Sequence, residues 1–314
     1  MRAAILDTLR RRPALYERLR SIYEWSRPAR RFVGWLPETL LLRPDGKADA
    51  AERDAVVFSS YVPTGEALAV ANEFLDVFKE RFADCDFFVG INTHSLPEWE
   101  LALKASGLCV KYGRVDPRLT VDSDASGFQQ ALELMRDEHR EYRIVWFGHT
   151  KGATTGKASE RRRLIEDFFL ERKHIARAFE HPRVGSYGHD VSVSTSLTEI
   201  DARMNRLFPF PYTGIGTFHL HTFYALRGSI VRGFLDGCSE DFFTENLVDD
   251  LGFDRYFFER DFSRLADKFG YYPLYRTRHQ HMSEVPVTRK VVRALYRDWE
   301  RQLPHHERAR VFFH

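Results

Sequence analysis

From Ala55 onward, short apolar runs rich in β-branched and aromatic residues alternate with longer stretches in which apolar residues recur every third or fourth position. The first pattern suits a strand buried on both faces, the second an amphipathic helix. AVVFSSYV, starting at Ala55, is followed by a Pro63-Thr64-Gly65 turn and by Val70, Phe74, Val77 and Phe78 at helical spacing. DFFVGIN (Asp86 to Asn92) predicts a second strand, after which a Ser-Leu-Pro-Glu segment opens a short helix. LCVKYGRV (Leu108 to Val115) predicts a third strand, and Phe128, Leu132 and Met135 mark a helix. RIVWFG (Arg143 to Gly148) predicts a fourth strand. Beyond it Leu164, Phe168, Ile175 and Phe179 space one long helix, and VGSYG (Val184 to Gly188) predicts a further strand.

This alternation predicts an α/β protein with a doubly wound parallel sheet flanked by helices. In such sheets the ligand sits beyond the carboxyl ends of the strands, so binding is expected at the turns Ser59 to Gly65, Asn92 to Ser95 and Gly148 to Gly156. From about Thr195, short helices and aromatic-rich turns form the other wall of a cleft. The expected domain therefore has two halves, 51–195 and 196–314.

Residues 1–50 read differently. Within 1–31, Arg2, Arg10, Arg11, Arg12, Arg18, Arg20, Arg27, Arg30 and Arg31 are opposed only by Asp7, Glu17 and Glu24. They predict a basic helical arm, preferably packed on the main domain, with an anionic membrane surface as the alternative seat.

Composition narrows the classes. With 43% hydrophobic content over 314 residues, a large core is expected, and the 26 phenylalanines are assigned to it. Lys+Arg total 47 against 45 Asp+Glu, so bulk charge offers no argument for nucleic acid. Three scattered cysteines suit a reducing compartment. No apolar run is long enough to cross a bilayer, and no signal-peptide core precedes the domain. A cytoplasmic protein is expected, peripheral at the inner face of the membrane if the arm binds there.

Three segments carry candidate chemistry. Trp146 to Gly156, WFGHTKGATTG, ends a buried strand in His149, Thr150 and Lys151 within a Gly- and Thr-rich loop. Close backbone approach, hydroxyl donors and a point charge suit a diphosphate, yet the spacing matches neither a Walker loop nor a dinucleotide fingerprint. Phe210 to Gly228 contains His219 and His221, two apart and so on one face of a strand, and ends in Arg227. A zinc pair lacks a third ligand of suitable spacing, which favours hydrogen-bonded imidazoles. Phe243 to Phe262 supplies Glu245, Asp254, Glu259 and Arg260; a carboxylate there could accept a proton from an acceptor hydroxyl. Asp122-Ser123-Asp124 has the D-x-D form of a metal site on a donor diphosphate, but it precedes a helix, where Asp is a common cap. No cofactor is assigned, and a divalent metal on the donor diphosphate is kept as the disfavoured alternative.

In the order and context of these residues the chain resembles the bacterial rhamnan synthesis protein F family and related polysaccharide glycosyltransferases. The resemblance runs over roughly residues 55–275: His149 to Lys151 at a strand end, the Val184-Gly185 strand, Thr217 to Arg227, and Glu259-Arg260 before Phe269-Gly270-Tyr271. Tyr256 stands where the family pattern leads one to expect His. The resemblance implies a GT-A-like, Rossmann-type, mostly parallel sheet and transfer of a sugar from a nucleotide-sugar donor to O-antigen, capsule or cell-wall glycan. On this reading Ser59, Tyr61, His149, Thr150, Lys151, Arg227 and Arg260 bind the donor. Glu245, Asp254 or Glu259 is the base, and His219, His221 and Tyr256 line the acceptor side. Cationic side chains take the place of a metal. The alternative is a non-catalytic glycan-binding or scaffold partner in a polysaccharide assembly complex; a methyltransferase is disfavoured, because the first strand lacks a Gly-rich turn.

Overall fold

The computed structural model describes residues 51–117, 124–153, 156, 158–189, 191–194, 207, 216–244, 258, 262–269, 271–276 and 284–286. The predicted basic arm lies outside them, as do Asp122, Glu245, Asp254, Tyr256, Glu259 and Arg260.

Four βα units open the fold. Strand β1 (Ala55–Ser60) leads to helix α1 (Gly65–Arg81), whose first turn is capped by the Thr64 hydroxyl accepting from the Ala67 amide. Strand β2 (Asp86–Ile91) leads to α2 (Pro97–Ala105), started by a proline whose missing N–H costs nothing there. Strand β3 (Cys109–Arg114) precedes α3 (Asp124–Asp137), and β4 (Ile144–His149) precedes α4 (Ala158–Leu164). Next come α5 (Arg172–Ala178), β5 (Val184–Gly188), β6 (Val191–Ser194), β7 (Gly216–His219), β8 (Tyr224–Arg227), α6 (Gly228–Gly237), α7 (Asp241–Thr244), α8 (Leu265–Lys268), β9 (Tyr272–Arg276) and β10 (Glu284–Pro286).

Eight strands form one sheet in the order β10-β9-β5-β8-β4-β1-β2-β3, while β6 and β7 pair separately. Strands β1 to β4 are mutually parallel, and β5 and β9 run with them. The sheet is mostly parallel, as expected, with two exceptions: β8 runs antiparallel between β4 and β5, and β10 runs antiparallel at the edge. Strand β8 enters the main sheet directly after β7 of the smaller sheet, with no helical crossover between them.

Alternate residues of the strands feed two apolar layers. Val57, Val145, Phe147, Tyr224 and Leu226 pack under α3 and α6, whereas Val56, Phe58, Val89, Trp146 and Ala225 pack under α1, α2 and α4. The aromatic richness is core, as expected: Phe78, for example, meets the rings of Phe58, Phe82, Phe87 and Phe169 at 5.1–5.9 Å.

The single long helix expected over Leu164 to Phe179 is broken. After α4, Ile165–Phe169 forms a wider turn in which the Leu170 amide bonds back to the Ile165 carbonyl, and α5 starts afresh. The extra residue in that turn lets the consecutive Phe168 and Phe169 both reach the core.

At the amino ends of the strands, acids and bases close on one another. Asp54 takes two hydrogen bonds from Arg143 and one from Arg172, and Asp86 pairs with Arg53, Arg140 and the Tyr142 hydroxyl. Arg172 also bonds Asp84, whose carboxyl that guanidinium holds below the ordinary range.

Helix α3 lies unusually close to the sheet. A Cβ on Gly90 would stand 1.8 Å from the Gly127 carbonyl oxygen, and one on Gly127 would stand 2.1 Å from Ser59 Oγ. Gly127→Ala is therefore expected to lower stability by about 1–3 kcal/mol in urea denaturation, the usual cost of overpacking. Gly65→Ala, with nothing within 4 Å of the added carbon, should match or exceed the parent. Equal losses in both would refute the packing argument.

Candidate functional site

Strand β4 ends at His149, in register with Ser59 of β1. Thr150 then clamps the two strands: its amide donates to the Ser59 carbonyl at 3.1 Å, and its Oγ1 accepts from the Tyr61 amide at 2.9 Å. The chain turns sharply there. Lys151 N meets the His149 carbonyl at 2.7 Å, and Gly152 adopts φ +77°, a left-handed conformation that glycine reaches without steric cost. Half-buried Lys151 leaves this turn without an ion pair among the described residues.

The His149 ring is engaged on both sides. Nδ1 is 2.8 Å from Asp124 Oδ2, at the start of α3, and Nε2 donates to the His221 carbonyl at 3.1 Å. Phe223 packs beside the ring, centroid to centroid 5.3 Å. Desolvation works to raise the Asp124 pKa, but His149 and the nearby charge of Lys151 outweigh it and hold the carboxyl below the ordinary range. The first turn of a helix also favours a carboxylate.

Above the ring, residues 220–222 form a tight turn in which His221 (φ 67°) and Thr222 (φ 55°) are both left-handed. Two such non-glycine residues in succession store about 1–3 kcal/mol each, strain that persists only where surrounding contacts impose it. His221 Nδ1 lies 3.4 Å from Glu160 Oε1 on α4.

The structure thus brings together Tyr61, His149, Thr150, Lys151 and His221 of the expected site residues. Three others go elsewhere. The Ser59 side chain is fully buried beneath Gly127, so only its carbonyl takes part. His219 does not share a face with His221, because β7 ends at His219 and the left-handed turn rotates His221 away. Arg227 pairs in register with Ile144, at the amino end of β4 and so across the sheet from His149. Its guanidinium bonds the carbonyls of Phe179, His181 and Val184, which makes it a tie between loops and not a donor contact. Glu245, Asp254, Glu259, Arg260 and Tyr256 lie outside the described residues.

Two carboxylates of the cluster escaped the sequence reading. Asp124 was assigned to capping alone; it does open α3, but its carboxylate reaches His149. Glu160 sits early in α4, and only the fold of the 220–222 turn sets it against His221. A second pair at the same end of the sheet, His189 Nε2 to Asp167 Oδ2 at 2.8 Å, joins the residue after β5 to the wide turn after α4. Among the described residues no group of three or more His, Cys, Asp or Glu is placed to hold a metal ion, and no helix is long and apolar enough to cross a membrane. No protein-family model matches the chain, and a search of curated proteins likewise finds no match.

His219 offers a pH test. Buried between Gly188 and Ser263, its Nε2 meets the Ser186 hydroxyl at 3.0 Å while Nδ1 has no hydrogen-bond partner among the described residues. Burial pushes its pKa down from 6.5 to about 3. Below pH 6.5 the unfolded chain binds a proton that the folded chain refuses, so this imidazole's contribution is complete above pH 6.5 and is lost on acidification towards pH 3. The loss approaches about 1.4 kcal/mol per pH unit. Urea midpoints between pH 7 and 4 should therefore fall less steeply in His219→Gln than in the parent; parallel profiles would refute the assignment.

Proposed function

We propose that the chain is a glycosyltransferase that moves a sugar from a nucleoside-diphosphate donor onto a growing bacterial surface polysaccharide. The observation that carries this reading is the placement of Lys151 and the Gly152 turn at the carboxyl end of β4, beside β1. Parallel α/β sheets bind their ligands at that end, and an ammonium beside a glycine turn that a phosphate can approach closely suits a diphosphate. Transfer of a sugar builds negative charge on the departing phosphate, which a fixed cation stabilises. Half-buried Tyr61, at the end of β1, supplies a ring face for the donor.

The reversed strand β8 within a mostly parallel sheet supports the GT-A-like form of the fold, and the order of residues resembling the rhamnan synthesis protein F family agrees with it. Glu160, beside His221, joins Glu245, Asp254 and Glu259 as a candidate base for the acceptor hydroxyl. One observation favours the second reading, a non-catalytic glycan-binding or scaffold partner. Both nitrogens of His149 are used within the protein and the Thr150 hydroxyl donates to the Tyr61 carbonyl, which leaves Lys151 as the direct side-chain donor of the His-Thr-Lys run.

A thermal-shift screen against UDP, GDP, dTDP and CMP and their sugars, with and without Mn²⁺, separates the two, since a ligand of the native state raises the melting temperature. One nucleotide is expected to stabilise the protein, and Lys151→Ala should weaken that binding at least tenfold, about 1.4 kcal/mol, with little change in the unliganded melting point. Absence of a shift with every nucleotide would transfer the assignment to the scaffold reading.

A further inference from the structure

The contacts of His149 raise a question of charge that the proposed function leaves open. Asp124, His149 and Lys151 come from two elements and meet at one strand end, with Asp124 close enough to Lys151 to feel its charge. A carboxylate beside a lysine would ordinarily pair with it and cancel its attraction for an anion. Here the carboxylate is turned to His149 instead, at 2.8 Å.

Donor counting identifies the state of that ring. Neutral imidazole donates one hydrogen and accepts one; only the cation donates two. His149 Nε2 faces a backbone carbonyl, which can only accept, and Nδ1 faces a carboxylate, which accepts when ionised. Among the described residues the other charged and titratable groups nearby are Lys151, His221 and Glu160, and the last two are turned to each other.

We infer that His149 is held as an imidazolium whose task is to neutralise Asp124, leaving the ammonium of Lys151 uncompensated for a phosphate-bearing ligand. The inference deepens the proposed function and rests on it for the ligand class. Asp124 and His149 are positioning residues on this view: neither nitrogen of His149 is left to touch the ligand, and the pair acts through Lys151. The charge sum of the three residues is then one positive. Removing the imidazolium brings it to zero, and removing the carboxylate as well restores it.

The test uses the full chain and two readouts. Nitrogen NMR of the His149 ring at neutral pH, assigned with His149→Gln, should show both nitrogens protonated in the parent. In Asp124→Asn, where the amide can donate to Nδ1, Nδ1 should become unprotonated. Calorimetric binding of inorganic pyrophosphate should weaken at least tenfold in His149→Gln, where Asp124 is free to pair with Lys151. Asp124→Asn/His149→Gln should recover most of that loss, which a role confined to folding would not produce. Melting curves check that each variant is folded. A neutral His149 ring in the parent overturns the inference, as does a double variant that is folded yet binds no better than His149→Gln. Because the ring is read without ligand, the outcomes separate: a charged ring in a chain that binds no nucleotide removes the proposed function, and nucleotide binding with a neutral ring removes this inference alone.

Discussion

Helix α3 approaches β1 and β2 at a distance that only glycine permits. Gly127 presses its backbone onto Gly90 and over the Ser59 side chain, and this contact sets how far the helix start projects along the carboxyl ends of the strands. Asp124, three residues before Gly127 on the same helix, arrives at His149 as a consequence. A larger residue at either glycine would lift the helix and withdraw the carboxylate. The geometry of the site is therefore inherited from a packing contact that contains no catalytic chemistry.

The two ends of the sheet treat charge in opposite ways. At the amino ends, Asp54 and Asp86 each meet several arginines, and the ionic groups form a closed set that stitches loops together. At the carboxyl ends, pairing is incomplete: Asp124 is matched with His149 and Glu160 with His221, but Lys151 stands without an ion pair among the described residues. A cation in a half-buried turn with no partner among the described residues calls for a counter-charge, and a phosphate-bearing ligand would supply it.

Strain marks the same place. The left-handed pair His221 and Thr222 sits directly over His149, held by the carbonyl hydrogen bond to Nε2, by burial of Thr222 and by the start of β8 in the middle of the sheet. Only Leu220 to Phe223 separate β7 from β8, so the chain passes from one sheet to the other within that turn. Backbone strain, the reversed strand and the histidine contact are thus parts of one constraint.

Periodicity along the chain was enough to locate the βα units, because a strand buried on both faces is apolar throughout and a helix beside it repeats every three to four residues. It was enough, too, to single out His149, Thr150 and Lys151, since a strand end beside glycines is recognisable from local order alone. What local order does not contain is direction and distance. Whether β8 runs with or against its neighbours depends on pairings between residues far apart in sequence, and Arg227 was misplaced for that reason. Asp124 reads as a helix cap because capping is a local property, while its hydrogen bond to His149 exists only once Gly90 and Gly127 let the helix settle. Glu160 and His221 likewise meet only through the left-handed turn. The sequence by itself determined which residue types stand at the strand ends; the tertiary packing decided which of them share a charge.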